Sequence, residues 1–117
     1  MGHKKTRDPG KCLSSAKRNV ELARQFMSLQ YLGLAENDLE EAGCSPGRID
    51  ETQETLERLR KDCLLKSARE HLALARKHRS VHYLELAERN LRHAGAEPVA
   101  INETPEGIAS LRQELSS

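Results

Sequence analysis

The chain says the same thing twice, and that repetition limits its fold more than any other feature. Residues 13–64 align with 65–116 at a fixed offset of 52, without a gap, and 22 of the 52 pairs are identical. Leu22/Leu74, Ala23/Ala75, Arg24/Arg76, Ser28/Ser80, Tyr31/Tyr83, Leu32/Leu84, Ala35/Ala87, Leu39/Leu91 and Gly43/Gly95 recur. The match continues through Pro46/Pro98, Ile49/Ile101, Thr52/Thr104, Glu54/Glu106 and Leu59/Leu111. Self-similarity of this kind marks a duplicated supersecondary unit stacked on its own copy. A length of 117 residues gives room for one domain. The expected organisation is a basic, mobile tail over residues 1–10 and a single repeat domain over 11–117.

The building material is helical. Seventeen Leu and twelve Ala supply small and medium aliphatic side chains, while aromatics number only three. Such a composition, rich also in Glu and Arg and poor in β-branched residues, favours helices. Leu13, Ala16, Val20, Ala23 and Met27 fall on one helical stripe. Beyond Ser28 the stripe becomes Tyr31, Leu32, Ala35, Leu39 and Ala42, rotated by about 100° from the first at 100° per residue. The second copy makes the same jump after Ala75. A turn at residues 26–30 and 77–82, with Ser28 and Ser80 capping the next helix, accounts for it most simply. The alternative is one straight helix whose packing partner changes midway.

Gly43 and Gly95 stand where a helix ends in the left-handed conformation. Pro46 and Pro98 follow, and Asp50 and Asn102 read as N-caps, Asp50 with Gln53 approximating a capping box. From Glu51 to Lys77 neither Gly nor Pro interrupts the chain, so one long helix is expected. The segment 103–115 repeats the start of that helix and reads as a cap on the end of the stack. The fold class is therefore all-α: two tandem 52-residue helical-hairpin repeats plus a C-terminal capping helix.

The alternation of small and large residues within each unit resembles a tetratricopeptide repeat. Ala16, Leu22, Ala23, Phe26, Leu32, Ala35, Leu39 and Ala42 carry the resemblance in the first copy. In the second it rests on Ala68, Leu74, Ala75, His78, Leu84, Ala87, Leu91 and Ala94. The period departs from that family's 34 residues, the usual Gly/Asp turn is missing, the family's Pro falls one residue early, and His78 replaces an aromatic. The resemblance implies binding of a peptide or partner protein along a concave face made by the first helix of each pair. The positions matching that face are Lys17, Val20, Arg24 and Met27, then Arg69, Leu72, Arg76 and Arg79. The five cations among them (Lys17, Arg24, Arg69, Arg76 and Arg79) are the candidate partner-binding residues, since guanidinium groups suit bidentate capture of carboxylates. The plainer reading is a solvated helix face held by local ion pairs such as Glu21 with Arg24.

Charge is spread unevenly around a formal net of +1. Residues 1–26 carry seven Lys/Arg against two acids, and residues 36–57 carry eight acids against Arg48 alone. A protein or peptide with an acidic surface is the expected partner, or another copy of the chain. Nucleic acid is disfavoured, because no aromatic is interleaved with the basic residues for base stacking. No apolar run is long enough to span a membrane, and the expected location is cytoplasmic. Cys12, Cys44 and Cys63 are odd in number and lack CxxC spacing, so reduced thiols are expected rather than a disulfide or redox pair. Gly2 and the basic residues after it fit a loose N-myristoylation pattern, against a plain disordered tail.

No catalytic motif stands out, and neither an enzyme activity nor a cofactor is expected. An alternative from another class is a small helical-bundle enzyme, acting on RNA or dependent on a metal, centred on Arg76, His78 and His82. Two histidines four residues apart share a helix face, and Arg76 with His82 matches the loose Arg/His spacing of ribonucleases resembling the HEPN family. The first copy has Phe26 and Gln30 at the His78 and His82 positions, so no symmetric ligands arise. Solvated histidines are the plainer reading.

Overall fold

A computed structural model of the chain describes residues 8–117. These residues form five α-helices and two 3-10 turns, with no strand among them. They fall into two compact units that divide between Arg60 and Lys61. Helix α1 covers Pro9–Phe26 and α2 covers Leu29–Ala42, followed by a 3-10 turn at Pro46–Ile49. Helix α3, Gln53–His78, begins in the first unit, and its part from residue 61 onward belongs to the second. The second unit adds α4 (Val81–Ala94), a 3-10 turn (Pro98–Ile101) and α5 (Pro105–Ser116). The units are thus two helical hairpins, α1·α2 and α3·α4, with α5 as the terminal capping helix.

The rotated stripe has a turn at its middle, and each hairpin is built on it. Helix α1 stops at Met27, whose φ of 51° is left-handed, and Arg79 holds the same φ at the matching position. Ser28 and Ser80 then cap α2 and α4, their hydroxyls accepting from the Tyr31 and Tyr83 amides. The missing glycine at this turn means that Met27 and Arg79 bear a backbone strain a glycine would avoid.

Three left-handed stops recur per unit in the same register: Met27/Arg79, Gly43/Gly95 and Asp50/Asn102. At Gly43 the chain closes with the Cys44 amide donating to the Leu39 carbonyl, as Ala96 does to Leu91. Pro46 and Pro98 open the 3-10 turns, where a missing N–H costs nothing. Asp50 and Asn102, expected as N-caps, instead end those turns in the left-handed region. The caps lie two residues later. Thr52 and Thr55 exchange amide-to-hydroxyl hydrogen bonds at 2.9 and 3.0 Å ahead of α3, and Thr104 caps α5 by accepting from Gly107. Asp and Asn suit both roles, and the intervening 3-10 turn decided which one they took.

Helix α1 starts at Pro9 rather than Lys11, capped by Asp8 with proline in its first turn. Asp8, Pro9 and Gly10 thus belong to the helix and its cap, while residues 1–7 of the expected mobile tail, with the Gly2 pattern, lie outside the described residues.

Each unit has its own core. Ala16, Val20, Ala23, Leu32, Ala35 and Leu39 are buried between α1 and α2, and Ile49, Leu56 and Leu59 are buried in the elements that follow. The second core gathers Ala68, Leu72, Ala75, Leu84, Ala87 and Leu91 with Ile101, Ile108 and Leu111. Alanines at the crossing let helix axes approach, and the leucines fill the space beside them. Leu32 and Leu84, fully buried, are the largest such side chains, each worth about 2–3 kcal/mol in burial.

Candidate functional site

Polar contacts repeat as faithfully as the core. The Arg24 guanidinium donates two hydrogen bonds to the Glu51 carboxylate at 2.7 and 2.5 Å. Arg76 does the same to Glu103 at 3.0 and 3.2 Å. Arg60 pairs with Glu36, and Arg112 with Glu88, again at the 52-residue offset. Asn19 donates to the buried Asp38 at 3.0 Å, and the matching pair, Asn90 with His71, lies 2.8 Å apart. There the duplicated position keeps a polar bridge while both partners change chemistry.

These bridges place the sequence-derived candidates. Arg24 and Arg76 both reach Glu residues 27 positions on, not the neighbouring Glu21 that local spacing suggested. Lys17 lies 3.8 Å from Asp50. Arg69 and Arg79 are exposed, Arg79 as the left-handed cap of α3. Val20 and Leu72, which the resemblance puts on the same face, are buried in the two cores instead. The first-helix face is therefore split between core residues and cations, three of which are already matched to a carboxylate.

The Arg24–Glu51 bridge is the stronger copy. The Thr55 hydroxyl also donates to Glu51, at 2.8 Å. Position 107, the counterpart of Thr55, is glycine and has no hydroxyl to give. The hydrogen bonds from Arg24 hold the Glu51 carboxyl below its ordinary range, Thr55 adds to that, and burial opposes it. Glu51 in turn raises Arg24.

His78 and His82 are exposed, and their rings lie 6.1 and 5.9 Å from that of Tyr83, with His71 at 6.2 Å. Among the described residues no group of three or more His, Cys, Asp or Glu side chains is placed to hold a metal ion. No disulfide joins Cys12, Cys44 and Cys63.

The concave feature that sequence reasoning missed lies in the second unit, between α4, the second 3-10 turn and α5. It is a groove of about 540 Å³. Its lining is apolar along Leu91, Ala96, Pro98, Pro105, Ile108 and Ala109, with Glu88, Arg92, Arg112 and Gln113 at its polar positions. A polar cleft of about 310 Å³ shares Glu88, Arg92 and Arg112 and adds Glu85 and Arg89. Val99, next to Pro98, is 74% exposed. The signal that was available is a mismatch between copies: Arg92 stands where the first unit has Glu40, and Arg89 where it has Asn37.

No family model, curated protein or solved structure matches the chain. No helix among the described residues is long and apolar enough to cross a membrane.

Proposed function

We propose that the chain is a non-enzymatic protein-interaction module, and that the groove between α4 and α5 seats an apolar segment bearing acidic residues from its partner. The observation that carries this reading is the groove itself: an apolar lining whose polar edge and adjoining cleft hold Arg89, Arg92 and Arg112 against Glu85 and Glu88. An apolar trough with a few oriented charges at its edge is the usual form of a peptide site. The guanidinium of exposed Arg92 is the natural anchor for a carboxylate.

The competing placement, along the first helices through Lys17, Arg24, Arg69, Arg76 and Arg79, follows from the tetratricopeptide resemblance. At Arg24 and Arg76 an arriving carboxylate must displace Glu51 or Glu103 before it gains a bidentate contact, so these two guanidiniums yield little net affinity. The test is a titration of the full chain with an amphipathic Leu/Glu peptide, followed residue by residue by NMR. Shifts at Ala96, Ala109 and Arg92 that vanish in Ala109→Glu support the groove. Shifts confined to Arg24, Arg69 and Arg76 place the partner on the first helices, and no shifts at all overturn the interaction reading.

A further inference from the structure

The polar cleft beside the groove differs from the matching surface of the first unit. Glu85, Glu88, Arg89 and Arg92 stand at spacings of three and four residues, so they share one face of α4, and Arg112 joins them from α5. Arg112 is paired with Glu88. The first unit keeps that pair as Arg60 with Glu36, which marks it as part of the scaffold. Arg89 and Arg92 have no such counterpart, since the first unit holds Asn37 and Glu40 there. Both are exposed, and among the described residues neither guanidinium makes a hydrogen bond or an ion pair.

Two unspent guanidiniums decide what the cleft suits. A side-chain carboxylate has two oxygens and is satisfied by one bidentate guanidinium, so a glutamate at Arg92 leaves Arg89 unmatched. A phosphoryl group brings about two negative charges and three acceptor oxygens, enough to engage both. The cleft, of about 310 Å³, adjoins the apolar groove of about 540 Å³ and shares Glu88, Arg92 and Arg112 with it. An apolar segment in the groove therefore brings a neighbouring charged group to the cleft. The helix dipole favours a cation at Arg92, in the last turn of α4, but Arg89 lies outside that turn. Glu85, exposed on the same face, opposes an anion there and weakens the site.

We infer that the partner segment seated in the groove is phosphorylated, its phosphoryl group held between Arg89 and Arg92 in the cleft. The Glu88–Arg112 pair stands at the wall that cleft and groove share, so adjoining surfaces of one unit read the apolar and the phosphorylated positions. Phosphorylation then acts as a switch, because an unmodified hydroxyl offers the two guanidiniums no charge. This inference rests on the groove reading above and names the group that the partner presents.

Titration of the full chain with three forms of one Leu-rich peptide tests it, the forms carrying phosphoserine, glutamate or serine at a single position. Phosphoserine is expected to bind tightest, by about tenfold or more over glutamate, and serine weakest. Arg89→Ala, at an exposed position that lines the cleft and not the groove, brings the phosphoserine peptide down to the affinity of the glutamate one. Glu85→Gln tightens the phosphoserine peptide. Lys77→Ala, which removes one exposed charge outside both cavities, leaves the preference intact. Equal affinity for phosphoserine and glutamate overturns the inference, as does an advantage that survives Arg89→Ala or falls as much with Lys77→Ala. Inorganic phosphate that displaces the peptide at matching concentration makes the cleft a free-anion site and overturns it too. If both peptides bind alike and are lost in Ala109→Glu, the groove reading stands and only the phosphate fails. If neither binds, the groove reading fails with it.

Discussion

Glycine at positions 43 and 95 shows what one residue contributes to this fold. Both sit at φ near 64° (65° and 63°), and a Cβ added at either meets nothing within 4 Å. Replacement by alanine therefore strains only the backbone, and Gly43→Ala and Gly95→Ala are each expected to cost about 1 kcal/mol in chemical denaturation. Arg79, exposed and left-handed, gives the converse: Arg79→Gly is expected to be neutral to stabilising, by up to roughly 1 kcal/mol. The duplicated ion pairs differ in the same testable way. A double-mutant cycle on Arg24 and Glu51 is expected to give a coupling of about 1 kcal/mol, larger than the cycle on Arg76 and Glu103, because Thr55 orders the first pair and Gly107 cannot order the second. The Glu51 carboxyl is held below its ordinary value in the folded chain. The stability it contributes is thus complete above about pH 5, where the unfolded carboxyl is also ionised, and disappears as pH falls through the depressed value. Glu51→Gln should flatten that part of the acid-unfolding curve, and an unchanged curve would remove Glu51 from the account.

At the scale of elements, most of the architecture was legible because helical periodicity and stop signals are local. The stripe that rotates after Met27 and again after Ala75 required the turns found at Met27 and Arg79, and Ser28 and Ser80 cap as their chemistry demands. Replacing either serine by alanine should cost about 1 kcal/mol, with hydrogen exchange rising first in the opening turn of α2 or α4; equal protection in wild type and variant would contradict the cap. What was not legible was non-local. Nothing within a few residues of Arg24 points to Glu51, since that pairing arises only after the 3-10 turn folds back beside α1. The same turn displaced the caps from Asp50 and Asn102 to Thr52 and Thr104. Val20 and Leu72 shared a sequence spacing with the cations, but a helix face read from spacing alone cannot tell which side the neighbouring helix covers.

For the whole molecule, duplication separates what holds the units together from what distinguishes them. Core leucines, alanine crossings, left-handed stops and bridging pairs occur twice, which is the behaviour of structural residues in a repeat. Glu40 against Arg92, Asn37 against Arg89 and Gly47 against Val99 do not repeat, and these differences surround the groove and the face of α2. The groove escaped the sequence reading because its walls come from α4, a 3-10 turn and α5, elements whose mutual packing no periodicity reports. The most direct measurement is parallel titration of the Leu/Glu peptide into four variants, Arg24→Ala, Arg76→Ala, Arg92→Glu and Ala109→Glu, with the stability of each measured alongside. The account predicts that the first two bind as wild type while losing up to about 1 kcal/mol of stability, and that the last two keep their stability while binding falls at least tenfold. Binding lost in Arg24→Ala and Arg76→Ala, with the groove variants unaffected, would contradict it.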